Sequence, residues 1–132
     1  EYIKPKNNQI IRVEITDNKL VYAFHSSTEQ GFELCPADAC RIDVKTSGAV
    51  CGIEGESLFS YIPDFKHQIV SKYIELCDVA GFDMAGIEFV EAVNGAIYTY
   101  DINGTTNYSP DVEKASVNLA KTAFQNLIQK RL

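Results

Sequence analysis

In the segment GIEFVEAVNGAIYTYDIN, which occupies residues 86–103, the predicted strands bring three oxygen-bearing side chains to one face. They are Glu88, Asp101 and Asn103, and Asn103 lies two positions after Asp101, so both project to one face of a strand. Carboxylate and amide oxygens suit Mg²⁺ or Mn²⁺ and argue against zinc, which prefers nitrogen and sulfur. Two facing carboxylates are destabilising unless they lie in water, share a proton or bind a cation. The residues alone leave these alternatives open.

A β-hairpin is predicted to bring the two carboxylates together. The pair Asn94-Gly95 separates two runs rich in β-branched and aromatic residues, which is the strongest short signal for a two-residue type I′ turn. The resulting register puts Phe89 opposite Tyr100 and Glu88 opposite Asp101. Directly opposite side chains share a face, with Cβ atoms about 5 Å apart.

These strands resemble the metal-binding end of ATP-grasp ligases, and they are most similar to the RimK-like, glutamate-ligase branch. In that family the first strand carries an acid in the context A-G-[VI]-[DE], which reads Ala85-Gly86-Ile87-Glu88 here. The second strand carries [ED]-[VI]-N, which reads Asp101-Ile102-Asn103. The resemblance implies that Glu88, Asp101 and Asn103 bind Mg²⁺, or Mn²⁺ in its place, between the phosphates of ATP.

The resemblance also assigns nucleotide contacts near the start of the chain. Glu1, Tyr2 and Ile3 match the hinge segment whose backbone recognises adenine in these ligases. Arg12 matches an arginine that approaches the phosphates, where it has a catalytic role in neutralising charge as the γ-phosphoryl group transfers. The residues alone are equally consistent with a surface Arg12 that pairs with Glu14 or another neighbour.

Two positions depart from the family pattern. Ile10 stands where the family often has an acid that holds the ribose. The loop 104–110 stands where many members have a Pro-Gly turn, and in the family this loop lies near the acceptor substrate. The acceptor and the amine donor are therefore left open by the sequence.

The order of elements predicts an α+β fold. Alternating apolar residues predict strands over 10–16 and 20–25, joined by a turn at Asp17-Asn18. Apolar residues at spacings of three and four predict helices over 62–80 and 110–132. We expect an antiparallel β-sheet with two long helices packed on one face, which matches the C-terminal subdomain of the ATP-grasp fold. The whole chain, 1–132, is predicted to be that single domain, without the N-terminal and central ATP-grasp parts.

Composition excludes several classes of partner. The net charge is −6 and the sequence has no basic cluster, which argues against nucleic acid. No apolar run is long enough to span a bilayer, so no membrane partner is expected. The four cysteines lack CxxC spacing and do not predict a zinc site: Cys35, Cys40, Cys51 and Cys77. We expect a reduced, cytoplasmic protein in which Cys77 is buried, and a disulfide is the alternative. The sequence leaves the oligomeric state open, and a homo-oligomer is possible.

The leading interpretation is an ATP- and Mg²⁺-dependent carboxylate–amine ligase that acts through an acylphosphate. Its substrates would be a nucleotide and a small-molecule or peptide carboxylate and amine. This chain would supply the half of the site that binds the metal and the phosphates, and alone it is expected to be inactive. The alternatives are an inactive ATP-grasp-like binding module and a small exported α+β domain.

Overall fold

The computed structural model describes residues 3–28 and 59–132, which form one five-stranded antiparallel sheet with the order β3-β2-β1-β4-β5. The strands are β1 Gln9–Thr16, β2 Lys19–Ser27, β3 Phe59–Ile62, β4 Met84–Glu91 and β5 Ile97–Asn103. The helices are α1 Ile69–Ala80, α2 Pro110–Ala115 and α3 Leu119–Arg131, and a short 3-10 helix covers Lys6–Asn8. The predicted α+β class is confirmed. Glu1, Tyr2, Cys35, Cys40 and Cys51 lie outside the described residues.

The two faces of the sheet pack against different helices. Helix α1 buries Tyr73 and Cys77 against one face, whose apolar side chains are Val13, Ile15, Ala23, Ala85, Ile87 and Phe89. Helices α2 and α3 cover the other face, where Val112 and Ala120 pack on Tyr22 and Phe24. Successive strand residues point to opposite faces, so β2 presents apolar side chains to both. The expectation that both helices share one face is therefore corrected, whereas a buried Cys77 thiol is confirmed.

Helix α1 begins seven residues later than the sequence predicts. Ile62 ends β3, where it pairs with Ala23, and does not lie in a helix. The following Pro63 lacks an N–H group and Asp64 has φ of 50°, a left-handed conformation that a helix does not contain. The apolar spacing that suggested a helix over 62–80 thus spans a strand end, a turn and the start of α1.

The predicted helix over 110–132 is divided in two. Val117 and Asn118 have φ of 57° and 60°, which interrupts the helix after α2. The Glu113 side chain spans the break, since its Oε1 and Oε2 accept hydrogen bonds of 3.0 Å from the backbone N–H groups of Ala120 and Lys121. The change of direction leaves part of the predicted buried stripe partly exposed: Leu119, Phe124 and Ile128, at 40%, 40% and 42%.

Among residues 3–28 and 59–132, no helix has both the length and the apolar character needed to cross a bilayer.

Replacing Glu113 by Gln removes the anion at the start of α3 and keeps the size of the side chain. We expect the free energy of unfolding to fall by about 1 kcal/mol, because the first N–H groups of a helix and its dipole favour a negative charge. Urea denaturation followed by circular dichroism measures the change. The matched control is Glu75→Gln, at an exposed position of α1, which should stay within about 0.5 kcal/mol of the unmodified chain. Equal stability of both variants would contradict the capping role.

Candidate functional site

The second hairpin places Glu88 directly opposite Asp101, as predicted, but by a different route. The loop has three residues, because Ala92 and Ala96 pair across it, with Gly95 at φ of 80°. Pairing then runs back through Phe89 opposite Thr99 until a β-bulge restores the Glu88–Asp101 pair. The expected pairing of Phe89 with Tyr100 and the two-residue turn are therefore wrong, and the Glu88–Asp101 pair is confirmed.

The extra residue of that bulge is Tyr100, which the sequence analysis did not single out. A bulge inserts one residue into one strand and re-aims its side chain. Here the Tyr100 hydroxyl donates a hydrogen bond of 2.9 Å to Oε2 of Glu88. Burial and the adjacent Glu88 carboxylate raise the pKa of Tyr100, so it stays a neutral phenol that can donate.

Arg12 lies between two carboxylates on the same face of the sheet. Its Nε donates to Oε1 of Glu14 at 2.7 Å, and its Nη1 donates to Oε1 of Glu88 at 3.0 Å. Its Nη2 donates to Oγ1 of Thr106. The pairing of Arg12 with Glu14 that the sequence allowed is present, but the expectation of a surface pair is wrong, since the two side chains are 17% and 1% exposed. These contacts use three of the five N–H donors of a guanidinium.

Glu14, the partner of Arg12, is fully buried. Its two oxygens accept hydrogen bonds of 3.0 and 2.8 Å from the Thr106 hydroxyl. Burial raises the pKa of Glu14 to about 7, an effect that Arg12 and Thr106 oppose and that Glu88 reinforces. The sequence contained a signal for this burial: Tyr22 of β2 lies directly opposite Glu14, and an aromatic neighbour predicts a covered face.

Gly86 provides the room in which Arg12 and Thr106 meet. A Cβ atom at Gly86 would lie 2.6 Å from both Arg12 Nη2 and Thr106 Oγ1, far inside van der Waals contact. Packing therefore explains why a glycine occupies this position of the A-G-I-E segment, since any larger residue would push Arg12 and the loop away from β4. This close approach lets Thr106, in the loop that follows β5, contact the charged cluster formed by Arg12, Glu14 and Glu88.

Asn103 lies opposite Gly86, two pairs along the strand from Asp101, but its side chain binds its own loop. Its Oδ1 accepts hydrogen bonds from the backbone N–H and the hydroxyl of Thr105, at 2.9 and 3.0 Å. In the described ranges, His, Cys, Asp and Glu side chains form no group of three or more arranged to hold a metal ion. Ile3, predicted to contact adenine, is half-buried and lies outside the strands.

The charges of the cluster do not balance. Arg12 pairs with Glu14 and Glu88, and Asp101 lies opposite Glu88 in the strand register, so these three carboxylates exceed the one guanidinium by two negative charges when all three are ionised. A divalent cation would offset that excess. Protonation of Glu14 offsets half of it.

Comparison with protein-family models and with curated proteins gives no match. The solved structure of the ATP-grasp ligase PsnB complexed with a minimal precursor matches with a TM-score of 0.61 and 10% identity, covering 100% of this chain and 37% of that one. The Chryseobacterium gregarium RiPP-associated ATP-grasp ligase, in complex with ADP and a leader and core peptide, matches with a TM-score of 0.55 and 15% identity, covering 94% and 34%. The macrocyclase MdnC from Microcystis aeruginosa MRC, bound with precursor peptide MdnA, matches with a TM-score of 0.52 and 13% identity, covering 92% and 34%.

The chain therefore has the fold of a segment of ATP-grasp ligases, and the predicted ATP-grasp fold is confirmed. It spans about a third of the length of these solved proteins. At these identities the match concerns the fold, and the RimK-like branch stays a prediction.

The raised pKa of Glu14 predicts how stability depends on pH. Between about 4.5, the ordinary value, and about 7 the folded chain holds one proton more than the unfolded chain. The contribution of Glu14 is therefore fully present below pH 4.5 and is lost as pH rises through 7, a decrease of roughly 3 kcal/mol.

Urea denaturation at pH 5, 6, 7 and 8 measures this dependence, and Glu14→Gln should flatten it because the amide does not titrate. Glu75→Gln, exposed on α1, should keep the profile of the unmodified chain. A Glu14→Gln profile as steep as that of the unmodified chain would show that another group is responsible.

Proposed function

We propose that this chain supplies the metal- and phosphate-binding half of an ATP-grasp carboxylate–amine ligase. The observation that carries the proposal is the pair of facing carboxylates, Glu88 and Asp101, beside the buried Arg12. The fold match supports it, and one of the matched structures is PsnB complexed with a phosphomimetic variant of its minimal precursor, Mg and ADP.

The side chains fit a hard divalent cation such as Mg²⁺ or Mn²⁺. Glu88 and Asp101 offer carboxylate oxygens, and a carboxylate oxygen that accepts one hydrogen bond keeps a second lone pair for a metal. The excess negative charge of the cluster favours the same ligand. Asn103 would complete the set once its Oδ1 leaves Thr105, so binding is expected to change the contacts of that loop.

The reaction follows from what these residues would do to ATP and an acceptor. The bound metal would supply charge neutralisation at the phosphates. Arg12, held by Glu14 and Glu88, would direct its two remaining N–H donors at the γ-phosphoryl group. The acceptor carboxylate attacks that group, which gives an acylphosphate and ADP. An amine then attacks the acyl carbon and phosphate leaves. Glu1, Tyr2 and Ile3 would contact adenine.

The acceptor is proposed to be a carboxylate of a peptide. PsnB, the Chryseobacterium gregarium enzyme and MdnC were each solved with a precursor or core peptide. In this chain the loop after β5 covers the charged cluster through Thr106, so a peptide would approach the site across that loop.

A second candidate keeps the fold without the chemistry, as an inactive binding module. It is favoured by Asn103 and Arg12, whose polar groups are bound to other residues of the chain, and by Ile10, which is 2% exposed and offers no contact to a ribose. Turnover by a full-length protein that is abolished by Asp101→Asn would exclude this candidate.

Metal binding can be tested on the chain itself. We expect Mn²⁺ to broaden the amide NMR signals of residues around Glu88 and Asp101 selectively in the ¹⁵N-labelled protein. Asp101→Asn should weaken binding at least about tenfold, because a neutral amide replaces a charged ligand. The matched control, Asp111→Asn, changes an exposed aspartate of α2 and should bind as the unmodified chain does. Broadening spread evenly over the surface would contradict the proposed site.

The isolated chain is expected to release no phosphate from ATP above background in the presence of a glutamate-containing peptide and an amine. The resemblance implies that the phosphate-binding lysines and the glycine-rich loop belong to a preceding subdomain, and this chain covers 37% of PsnB. Coupled phosphate detection measures the rate. Amide formation by the isolated chain would refute this division of the site.

A further inference from the structure

The bulge in β5 gives Glu88 a second hydrogen-bond donor. With regular pairing, Tyr100 would lie opposite Phe89 and project to the face that carries α1. The bulge instead makes Tyr100 the extra residue between the Phe89–Thr99 and Glu88–Asp101 pairs, and its hydroxyl donates to Oε2 of Glu88 at 2.9 Å. The residue as a whole remains 39% exposed, so Tyr100 lies at the margin of the site rather than in the core.

The Glu88 carboxylate is consequently held at both oxygens. Arg12 donates to Oε1 at 3.0 Å and Tyr100 donates to Oε2 at 2.9 Å, while the residue as a whole is 4% exposed. A glutamate side chain otherwise loses rotamer freedom when a ligand fixes it. Two donors on different strands define the plane of the carboxylate before any cation arrives. They also leave the second lone pair of each oxygen available to a cation.

We propose that Tyr100 is a positioning residue that orients Glu88 for a divalent cation. This inference rests on the proposed function, since it concerns the same metal. Donors that hold a ligating carboxylate commonly change metal affinity by about 10- to 100-fold when they are removed. The contribution of Tyr100 should lie at the lower end, because Arg12 still holds the other oxygen.

The test is a Mn²⁺ titration of the ¹⁵N-labelled chain, followed by broadening of the amide signals near Glu88 and Asp101. Tyr100→Phe, which removes only the hydroxyl, should raise the dissociation constant about tenfold. Tyr98→Phe removes the hydroxyl of a similarly exposed tyrosine on the same strand, 41% against 39%, and should leave the constant unchanged. The dispersion of the same spectra shows that each variant is folded.

The same substitution in a Glu88→Gln variant tests whether Tyr100 acts through Glu88 or through a general effect on the strand. In Glu88→Gln, where the ligating carboxylate is absent, adding Tyr100→Phe should change the remaining Mn²⁺ affinity by less than about twofold, because coupled residues are not additive. Equal affinity of Tyr100→Phe and the unmodified chain overturns the inference and leaves the proposed function standing. Additive losses in the double variant also overturn it. An unmodified chain without localised broadening overturns both.

Discussion

A single guanidinium between two buried carboxylates governs the arrangement of this domain. Burying an ion is costly unless its partners satisfy it, and removing one partner leaves an uncompensated charge. Burial opposes the charge of Arg12, but Glu14 and Glu88 outweigh it, so the pKa of Arg12 is raised rather than lowered. The surrounding features follow from keeping this group satisfied. Gly86 makes room for it, Thr106 bonds to it from the loop, and β1 and β4 are paired in the register that sets Arg12 opposite Glu88.

The buried ion group also explains why helices lie on both sides of the sheet. The face that carries Arg12 and Glu14 is polar at its centre and aromatic at the side of β2, where Tyr22 and Phe24 lie. Helices α2 and α3 cover those rings. The opposite face is mainly apolar and packs on α1. A sheet with water on the polar face would leave Glu14 solvated, and its pKa would have no cause to rise.

The sequence predicted the strands and the facing carboxylates, because alternation and turn residues are local signals. The predicted register of the second hairpin was wrong in detail, because two local irregularities offset each other. Gly95 closes a loop one residue longer than expected, and the bulge at Tyr100 removes the difference, so Glu88 meets Asp101 by either route. Nothing in the composition of β5 reports a bulge. The positive φ values expected at Asn94-Gly95 occur together at Asp17 and Asn18, of 51° and 56°, in the first hairpin.

Arg12 shows a different limit of sequence reasoning. The resemblance to ATP-grasp ligases suggested that it contacts phosphates, and the alternation of β1 placed it beside Glu14, but alternation alone does not say whether a face is covered. The information lies in β2, in the aromatic residues that pair with this part of β1, and it becomes readable only when the register is known. The prediction of one helix over 110–132 was wrong for a related reason. The break at Val117 and Asn118 is accompanied by a capping contact between Glu113 and residues seven and eight positions further along the chain.

The loop after β5 carries Thr106, whose hydroxyl bonds to the same charges that hold Arg12 in place. A segment at the rim of the site is thus also one of the supports of its ionic interior. A change in this loop therefore acts on two properties at once, the surface at the rim and the electrostatic balance beneath it. Replacing the loop would alter both properties together, so the outer surface cannot be changed independently of the buried charges.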